Sequence, residues 1–214
     1  MSSIYEILLL IPILLFSLSL HEFSHGYISH KLGDPTPKAM GRLTINPLAH
    51  LDPIGSLVLI VTRRFGWAKP VPINPNYYKN PRQGIMLVSL AGPGSNFILA
   101  ACFAFIARLV VFFSSSTIYQ LQQSGYGNLI QTTFIFFQLA VIINLSLGFF
   151  NLIPVPPLDG SKILMGILPP KFDKYIHKLE GPYGMILLLL LAYTGILWSL
   201  IGPLVNFMYR LLLM

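Results

Sequence analysis

The chain has 214 residues, of which 54% are hydrophobic and only 10% are charged. An ordinary soluble domain has about 25% charged residues, so the composition excludes that class and indicates an integral membrane protein. The formal net charge is +7, but the basic residues lie between apolar segments and form no stripe with aromatic residues. This distribution argues against nucleic-acid binding and reflects orientation in a membrane.

Four long apolar segments are predicted to cross the membrane as helices, because each has at least the roughly 20 residues that a crossing needs. They cover residues 4–29, 84–113, 129–150 and 183–208. A fifth segment, 54–62, is too short to cross. We expect it to re-enter the membrane, or to lie against the protein as a hairpin or helix, on the cytoplasmic side. The expected fold is an all-α polytopic membrane protein in which residues 1–214 form a single domain.

Two of the predicted spans contain residues that disturb a helix. Pro12 should kink the first span, because it removes a backbone hydrogen bond. The second span would be about 45 Å long at 1.5 Å per residue, well above the hydrocarbon thickness of about 30 Å. We expect this second helix to tilt, protrude or break, and Gly92, Pro93 and Gly94 mark the most obvious break.

The distribution of Lys and Arg predicts the orientation of the chain. Eight lie between the first and second spans and four between the third and fourth, whereas residues 114–128 contain none. By the positive-inside rule the first and third connections are cytoplasmic, and both termini lie on the other side of the membrane. The bacterial plasma membrane is the natural location for such a topology.

The first span ends in the sequence His21-Glu22-Phe23-Ser24-His25. Positions i and i+4 share one face of a helix, so both imidazoles can bind one Zn²⁺, while Glu22 lies nearby as a base rather than a ligand. Ionisable residues near the hydrocarbon are costly and commonly functional. The alternative is a pair of surface histidines with an incidental glutamate.

A catalytic zinc site with two histidines needs a third protein ligand. Asp159 is the best candidate, because it follows the third span on the side to which the first span brings the HExxH histidines. His30 is five residues beyond His25, about 140° away around a helix. His50 lies in a connection, where a solvated or capping role is the favoured interpretation. His177 lies among lysines and is set aside.

Asp159 belongs to the stretch 151–160, which contains three prolines and therefore cannot form a regular helix. Irregular backbone at membrane depth persists only where protein buries it or where it lines a wet cavity. A plain exit loop from the third span is the alternative interpretation.

Together, HEFSH on one span and NLIPVPPLDG at the end of a later one resemble the site-2 protease family of intramembrane zinc metalloproteases. That family pairs HExxH with an NxxPxPxxDG element, and the similarity extends to residues 41–53 and 91–96. The resemblance implies one Zn²⁺ per chain and a role for each of five residues. The implied metal ligands are His21, His25 and Asp159; Glu22 would activate water, and Asn151 would hold the substrate or the oxyanion.

The resemblance further implies a zinc metalloendopeptidase that cleaves transmembrane substrates near the cytoplasmic side, in regulated intramembrane proteolysis. Such an enzyme must unwind its substrate, because a membrane helix shields its own peptide bonds. Residues 41–46 alternate polar and apolar side chains, so they form either an edge strand that pairs with substrate or a plain hairpin. The stretch 67–72, extended by its prolines, is expected to be a covering flap. Asn96 could bond within the site or serve helix packing.

The family also sets expectations about partners. Many members carry a PDZ domain, for which a chain of 214 residues has no room, and this leaves open how substrates are selected. The expected partners are transmembrane substrates and the lipid bilayer, with no nucleic acid, and the oligomeric state is not indicated.

Other functional classes fit the residues less well. A non-proteolytic zinc-binding scaffold would not need Glu22, and a transporter should show repeated broken helices, whereas no internal repeat is visible. A di-iron membrane oxygenase needs many histidines, and this chain has five.

Overall fold

The computed structural model describes residues 4–53, 55, 68–115 and 127–214. Eight α-helices are found in this part of the chain: α1 (Ile4–Lys31), α2 (Thr36–Ala39), α3 (Pro81–Ser115), α4 (Gly127–Asn151), α5 (Asp159–Ile167), α6 (Asp173–Lys178), α7 (Pro182–Tyr193) and α8 (Ile196–Leu213). Short 3₁₀ turns lie at Pro47–Ala49, Pro75–Tyr77 and Pro170–Phe172. Four helices, α1, α3, α4 and α8, are long and apolar enough to cross a membrane. The predicted all-α class with four long helices is therefore confirmed.

The predicted break in the second span is wrong, because α3 continues through Gly92, Pro93 and Gly94. Tilting or protrusion of this 35-residue helix stays a prediction. Gly92 serves packing instead. A Cβ atom on Gly92 would collide with the imidazole rings of His25 and His21, so the missing side chain lets α1 approach α3 closely. The helix α1 likewise continues through Pro12.

The fourth predicted span, 183–208, is wrong as a single helix. It consists of the shorter helix α7 and the spanning helix α8, which are separated at Thr194 and Gly195. Gly195 has a φ of +78°, a left-handed conformation that commonly ends a helix and that glycine adopts without strain. The spanning helix thus begins at Ile196 and extends to Leu213.

The helix α3 is central and packs against α1, α4, α5 and α8. Small residues allow this close packing, since Ala100 and Ala104 of α3 lie in one buried cluster with Val141 and Leu145 of α4. Residues Ile201 and Val205 of α8 complete the cluster. The packing brings the C-terminal end of α1, the first half of α3 and the start of α5 together.

The connection between α1 and α3 contains no strand at 41–46, where the sequence suggested one. Gly41 has a left-handed φ of +65°, and the Arg42 guanidinium donates to the Lys69 and Pro70 carbonyls at 2.6 and 3.2 Å. Among the described residues this connection has one antiparallel bridge, between Leu51 and Ala68. The predicted re-entrant segment, 54–62, lies outside the described residues apart from residue 55.

Candidate metal centre

The predicted metal ligands lie together in the structure. The Nε2 atoms of His21 and His25 are 3.0 Å apart, and each lies 3.2 Å from Oδ2 of Asp159. Zinc bound tetrahedrally at about 2.0–2.1 Å from each ligand would require ligand atoms about 3.3–3.4 Å apart. The three atoms therefore fit a single zinc ion. Within the described part of the chain, they form the one group of His, Cys, Asp or Glu residues with this spacing.

Asp159 reaches the site because the chain turns sharply after α4. Residues 152–158 form turns rather than a helix, as their prolines predict, and α5 begins at Asp159 itself. A Cβ atom on Gly160 would collide with the carbonyl oxygens of Leu152 and Ile153. The first turn of α5 can therefore lie directly against the end of α4, and Asp159 is buried there.

Asp159 is suited to be an anionic ligand. Burial opposes its negative charge, but the two adjacent imidazoles outweigh burial and lower the pKa of its carboxyl below the ordinary value. The carboxylate is thus available to a cation throughout the physiological pH range.

The second ring nitrogen of each histidine is bound to an oxygen atom. Nδ1 of His25 lies 2.7 Å from the Val88 carbonyl oxygen, and Nδ1 of His21 lies 2.7 Å from Oδ1 of Asn96. Both oxygens can only accept, so each Nδ1 carries a proton, and each Nε2 offers a lone pair when its imidazole is neutral. This is the arrangement that metal-binding histidines usually have, with the outer nitrogen oriented by a second residue.

Glu22 lies on the same turn of α1 and is held by a different part of the chain. Its Oε2 accepts the backbone N–H of Val71 at 2.9 Å. The side chain of Val71 is buried, and a Cβ atom on Gly26 would approach its Cγ1 to 3.1 Å. Val71 thus lies against Glu22. We call residues 68–72 the cover; a role of this stretch as a flap stays a prediction, and Trp67 lies outside the described residues.

Asn151, the last residue of α4, does not bond to the metal ligands. Its Nδ2 donates to the carbonyl of Leu147 in the preceding turn at 3.0 Å. A role for Asn151 toward the substrate or the oxyanion therefore remains a prediction.

The other histidines do not join the metal centre. His30 lies 3.2 Å from the Asp34 carbonyl, and the exposed His177 pairs with Glu180 at 3.0 Å. Of the two roles predicted for His50, the capping role is confirmed, because His50 is the C-cap of the 3₁₀ helix Pro47–Ala49. It is not solvated, because it is only 2% exposed and its Nε2 lies 2.7 Å from the Thr44 carbonyl. It closes the turn around the 3₁₀ helix at Pro47–Ala49.

Sequence reasoning missed two neighbours of the site. The Val88 carbonyl gives no signal in a sequence, because every residue has one. Asn144 is an amide in the middle of an apolar span, and such a polar residue is itself a signal. It donates to Ser17 at 2.9 Å and accepts from Asn96 at 3.1 Å.

Comparison with known proteins gives a consistent result. A family model of peptidase family M50 matches residues 9–191. The chain is 39% identical to YwhC of Bacillus subtilis, covering 92% of this chain and 85% of that protein. It is 28% identical to Rip2 of Mycolicibacterium smegmatis and 30% identical to MJ0392 of Methanocaldococcus jannaschii, covering 84% and 86% of this chain. All three carry names that describe zinc metalloproteases.

The matched relatives differ in length. The chain spans 64% of Rip2 and 42% of MJ0392. No solved structure was found to match it.

Proposed function

Since this chain belongs to peptidase family M50, the site-2 protease family, and is a zinc metallopeptidase, we propose that it cleaves transmembrane substrates in regulated intramembrane proteolysis. The observation that supports this most is the convergence of His21, His25 and Asp159 within 3.2 Å. Glu22 is on the same helical turn, and its position matches the base of the HExxH motif.

In this proposal Nε2 of His21, Nε2 of His25 and Oδ2 of Asp159 hold one zinc ion. Bound zinc would supply Lewis-acid chemistry: it would lower the pKa of water, so that water can be deprotonated to a nucleophile, and it would polarise the scissile carbonyl. Histidine nitrogens and a carboxylate oxygen are ordinary zinc ligands, and three protein ligands leave a fourth position open.

Glu22 handles the proton. Its carboxylate takes a proton from the attacking water and delivers it to the leaving nitrogen of the cleaved peptide bond. The hydrogen bond from the Val71 amide to Oε2 orients the carboxylate for this transfer. At the end of α4, the Asn151 amide turns from the Leu147 carbonyl toward the substrate or the developing oxyanion.

A substrate helix must unwind before it can reach these groups, because its backbone is shielded by internal hydrogen bonds. Residues 68–72 lie over Glu22, so they must shift or share this space when an extended substrate enters. The Lys69 and Pro70 carbonyls are already bound by Arg42. These two carbonyls are therefore not free to pair with a substrate strand, and the cover acts as a gate.

The apolar helices and the family membership make the protein a multi-pass integral membrane protein. The proposed orientation places the connections rich in Lys and Arg in the cytoplasm and both termini outside. In this orientation the metal centre lies toward the cytoplasmic side of a bacterial plasma membrane. Residues 1–214 act as one domain, and the substrates are membrane-spanning proteins.

The test is cleavage of a panel of single-span membrane proteins by the purified protein in detergent, with zinc measured in the same samples. Wild type should cut within a span. Glu22→Gln should retain zinc and lose cleavage, because the amide cannot accept the proton, and Asp159→Ala should lose zinc. Glu180→Gln, which changes an exposed glutamate paired with His177, is the matched control and should cut normally.

Three results would refute the proposal. Cleavage by Glu22→Gln would remove Glu22 from the role of base. Active wild type without zinc, or full zinc binding by Asp159→Ala, would remove the proposed metal centre.

A further inference from the structure

We propose that Asn144 is a positioning residue of the metal centre. It acts through Asn96 to fix the orientation of the His21 ring and to place the proton of that ring on Nδ1. The inference rests on the proposed function, because it requires that His21 binds the metal through Nε2. It concerns Asn144 of α4 and Asn96 of α3, which lie outside the HExxH and Asp159 motifs.

The contacts form an unbroken chain across three helices. Nδ1 of His21 in α1 lies 2.7 Å from Oδ1 of Asn96 in α3. Nδ2 of Asn96 donates to Oδ1 of Asn144 in α4 at 3.1 Å. Nδ2 of Asn144 in turn donates to the Ala140 carbonyl and to Ser17 Oγ, both at 2.9 Å. We call the three side chains of His21, Asn96 and Asn144 the relay.

The direction of every bond in the relay follows from its far end. The Ala140 carbonyl can only accept, so Asn144 must turn its Nδ2 toward it and its Oδ1 toward Asn96. Asn96 must then donate with Nδ2, and this leaves its Oδ1 facing His21. An amide oxygen can only accept, so Nδ1 of His21 carries the proton and Nε2 keeps the lone pair that a metal needs.

The relay is enforced by burial. Asn96 and Asn144 are both 0% exposed, and they lie within apolar spanning helices, where water is not available to replace a lost partner. Reversing either amide would place two donors or two acceptors against each other, and a buried polar group without a partner is strongly unfavourable. The arrangement therefore has one favourable state.

The two metal-binding histidines are thus oriented by different means. His25 is oriented by a main-chain carbonyl, that of Val88, whereas His21 depends on an amide that could turn either way. Without Asn144, Asn96 can rotate and present its NH₂ group to His21. The imidazole would then place its proton on Nε2, and this tautomer cannot bind zinc.

The primary experiment is a double-mutant cycle on zinc affinity, measured by competition with a chromophoric chelator on the full-length protein in detergent. Asn96→Ala should weaken zinc binding by about 10- to 100-fold, as loss of an outer partner of a ligand typically does. Asn144→Leu should weaken zinc binding by up to about tenfold, since Asn144 contacts Asn96 and not His21 itself. The double variant should be no weaker than Asn96→Ala alone.

A general structural role for Asn144 predicts a different result. The two effects would then multiply, because independent contributions to binding add in free energy. Leucine has the same branching at Cγ as asparagine and suits an apolar span, so the variant should fold. If it does not, Asn144→Ser provides a smaller replacement for the same cycle.

A second measurement reports the tautomer directly. In metal-free protein labelled with ¹⁵N-histidine, wild-type His21 should show a protonated Nδ1, because Nδ1 faces Oδ1 of Asn96. The Nε2 signal is not used, because Nε2 lies 3.2 Å from Oδ2 of Asp159. Asn144→Leu should shift His21 toward a mixture of tautomers and leave His25 unchanged. A merely structural role would not move the signal of one histidine alone.

Ser19→Ala is the matched control, because Ser19 is also buried in α1 but donates to the Leu15 carbonyl outside the relay. Its zinc affinity should equal that of wild type. The outcomes separate the two proposals: if Asp159→Ala loses zinc while Asn144→Leu binds zinc like wild type, the relay is refuted and the ligand set stands. If Asp159→Ala keeps zinc, the ligand set itself is refuted.

Discussion

The histidines and the glutamate of the HExxH turn are held by different kinds of neighbour. His21 and His25 bond to α3, through Asn96 and the Val88 carbonyl, whereas Glu22 bonds to Val71 in the extended segment 68–72. The proposed metal ligands are thus built into helix packing. Glu22, the proposed base, is attached to a cover that has no regular secondary structure of its own beyond a single bridge at Ala68.

This difference separates two tasks of a protease in a membrane. Metal ligands must keep their geometry, and buried helix contacts resist displacement because interiors are closely packed. A substrate, by contrast, must reach Glu22, and an extended segment can shift without disturbing the ligands. We therefore expect changes on the α3 side to affect zinc binding, and changes in the cover to affect turnover.

The largest effect should come from Gly92→Ala, which changes the α3 side. A Cβ atom at this position would collide with the rings of His25 and His21. Displaced ligand rings should weaken zinc binding by about 100-fold, the upper end of the range for outer-contact losses. Overpacking should also lower the free energy of unfolding by about 1–3 kcal/mol. Chelator competition and thermal unfolding measure the two quantities.

Gly94→Ala is the matched control, because a Cβ atom there has nothing within 4 Å. It should bind zinc like wild type and have similar stability. If Gly92→Ala also behaved like wild type, the close contact between α1 and α3 would not be what positions the histidines.

An intermediate effect is expected for Val71→Pro, which changes the cover. Proline lacks the N–H that bonds to Oε2 of Glu22. A hydrogen bond to a charged group contributes about 1.5–3 kcal/mol, so kcat should fall by about tenfold or more. Zinc content should stay at the wild-type level, because the ligands are held by α3 and α5.

The control for this variant is Val71→Ala, which keeps the N–H and shortens only the side chain. It should retain most of the wild-type kcat. Loss of zinc from Val71→Pro would show that the cover and the metal centre are not separable, and an unchanged kcat would show that the amide does not position Glu22.

Much of the fold and of the site could be predicted from the sequence, because both depend on local patterns. The apolar runs predicted the spanning helices, and the spacing of His21 and His25 predicted that they share a face. Asp159 could be placed because the order of the spans brings it to the same side as the HExxH turn. These inferences need no knowledge of how side chains of different helices fit together.

The errors arose where tertiary packing decides the outcome. Gly92 and Pro93 look like a break in the local sequence, but packing against α1 keeps α3 continuous. Gly195 lies within a long apolar segment, so the composition of that segment did not predict the helix end at this residue. The contact between Asn96 and Asn144 depends on the register of α4 against α3, and a single sequence does not specify that register.

The smallest effect is expected at Asp34. This residue ties Asn74, which follows the cover, to Ser29 of α1. The buried Asp34 carboxylate accepts the Asn74 N–H and the Ser29 hydroxyl at 2.7 Å each, and the Thr36 N–H at 2.9 Å. Burial opposes its charge, but these hydrogen bonds outweigh burial and lower the pKa of the carboxyl. Asp34→Asn removes the charge and one acceptor, so the melting temperature at pH 7 should fall by about 2–4 °C.

The pH dependence identifies the cause. A lowered pKa contributes stability that is fully present above the unfolded value of about 4 and is lost as the pH falls through the folded pKa. The gap between metal-free wild type and Asp34→Asn should therefore narrow below about pH 4, since protonation then removes the same charge from wild type. A gap that stays constant in acid would assign the effect to shape rather than charge. Zinc affinity at pH 7 should be unchanged, because Asp34 anchors the cover and not the relay; a weakened affinity would mean that the two sides of α1 are coupled.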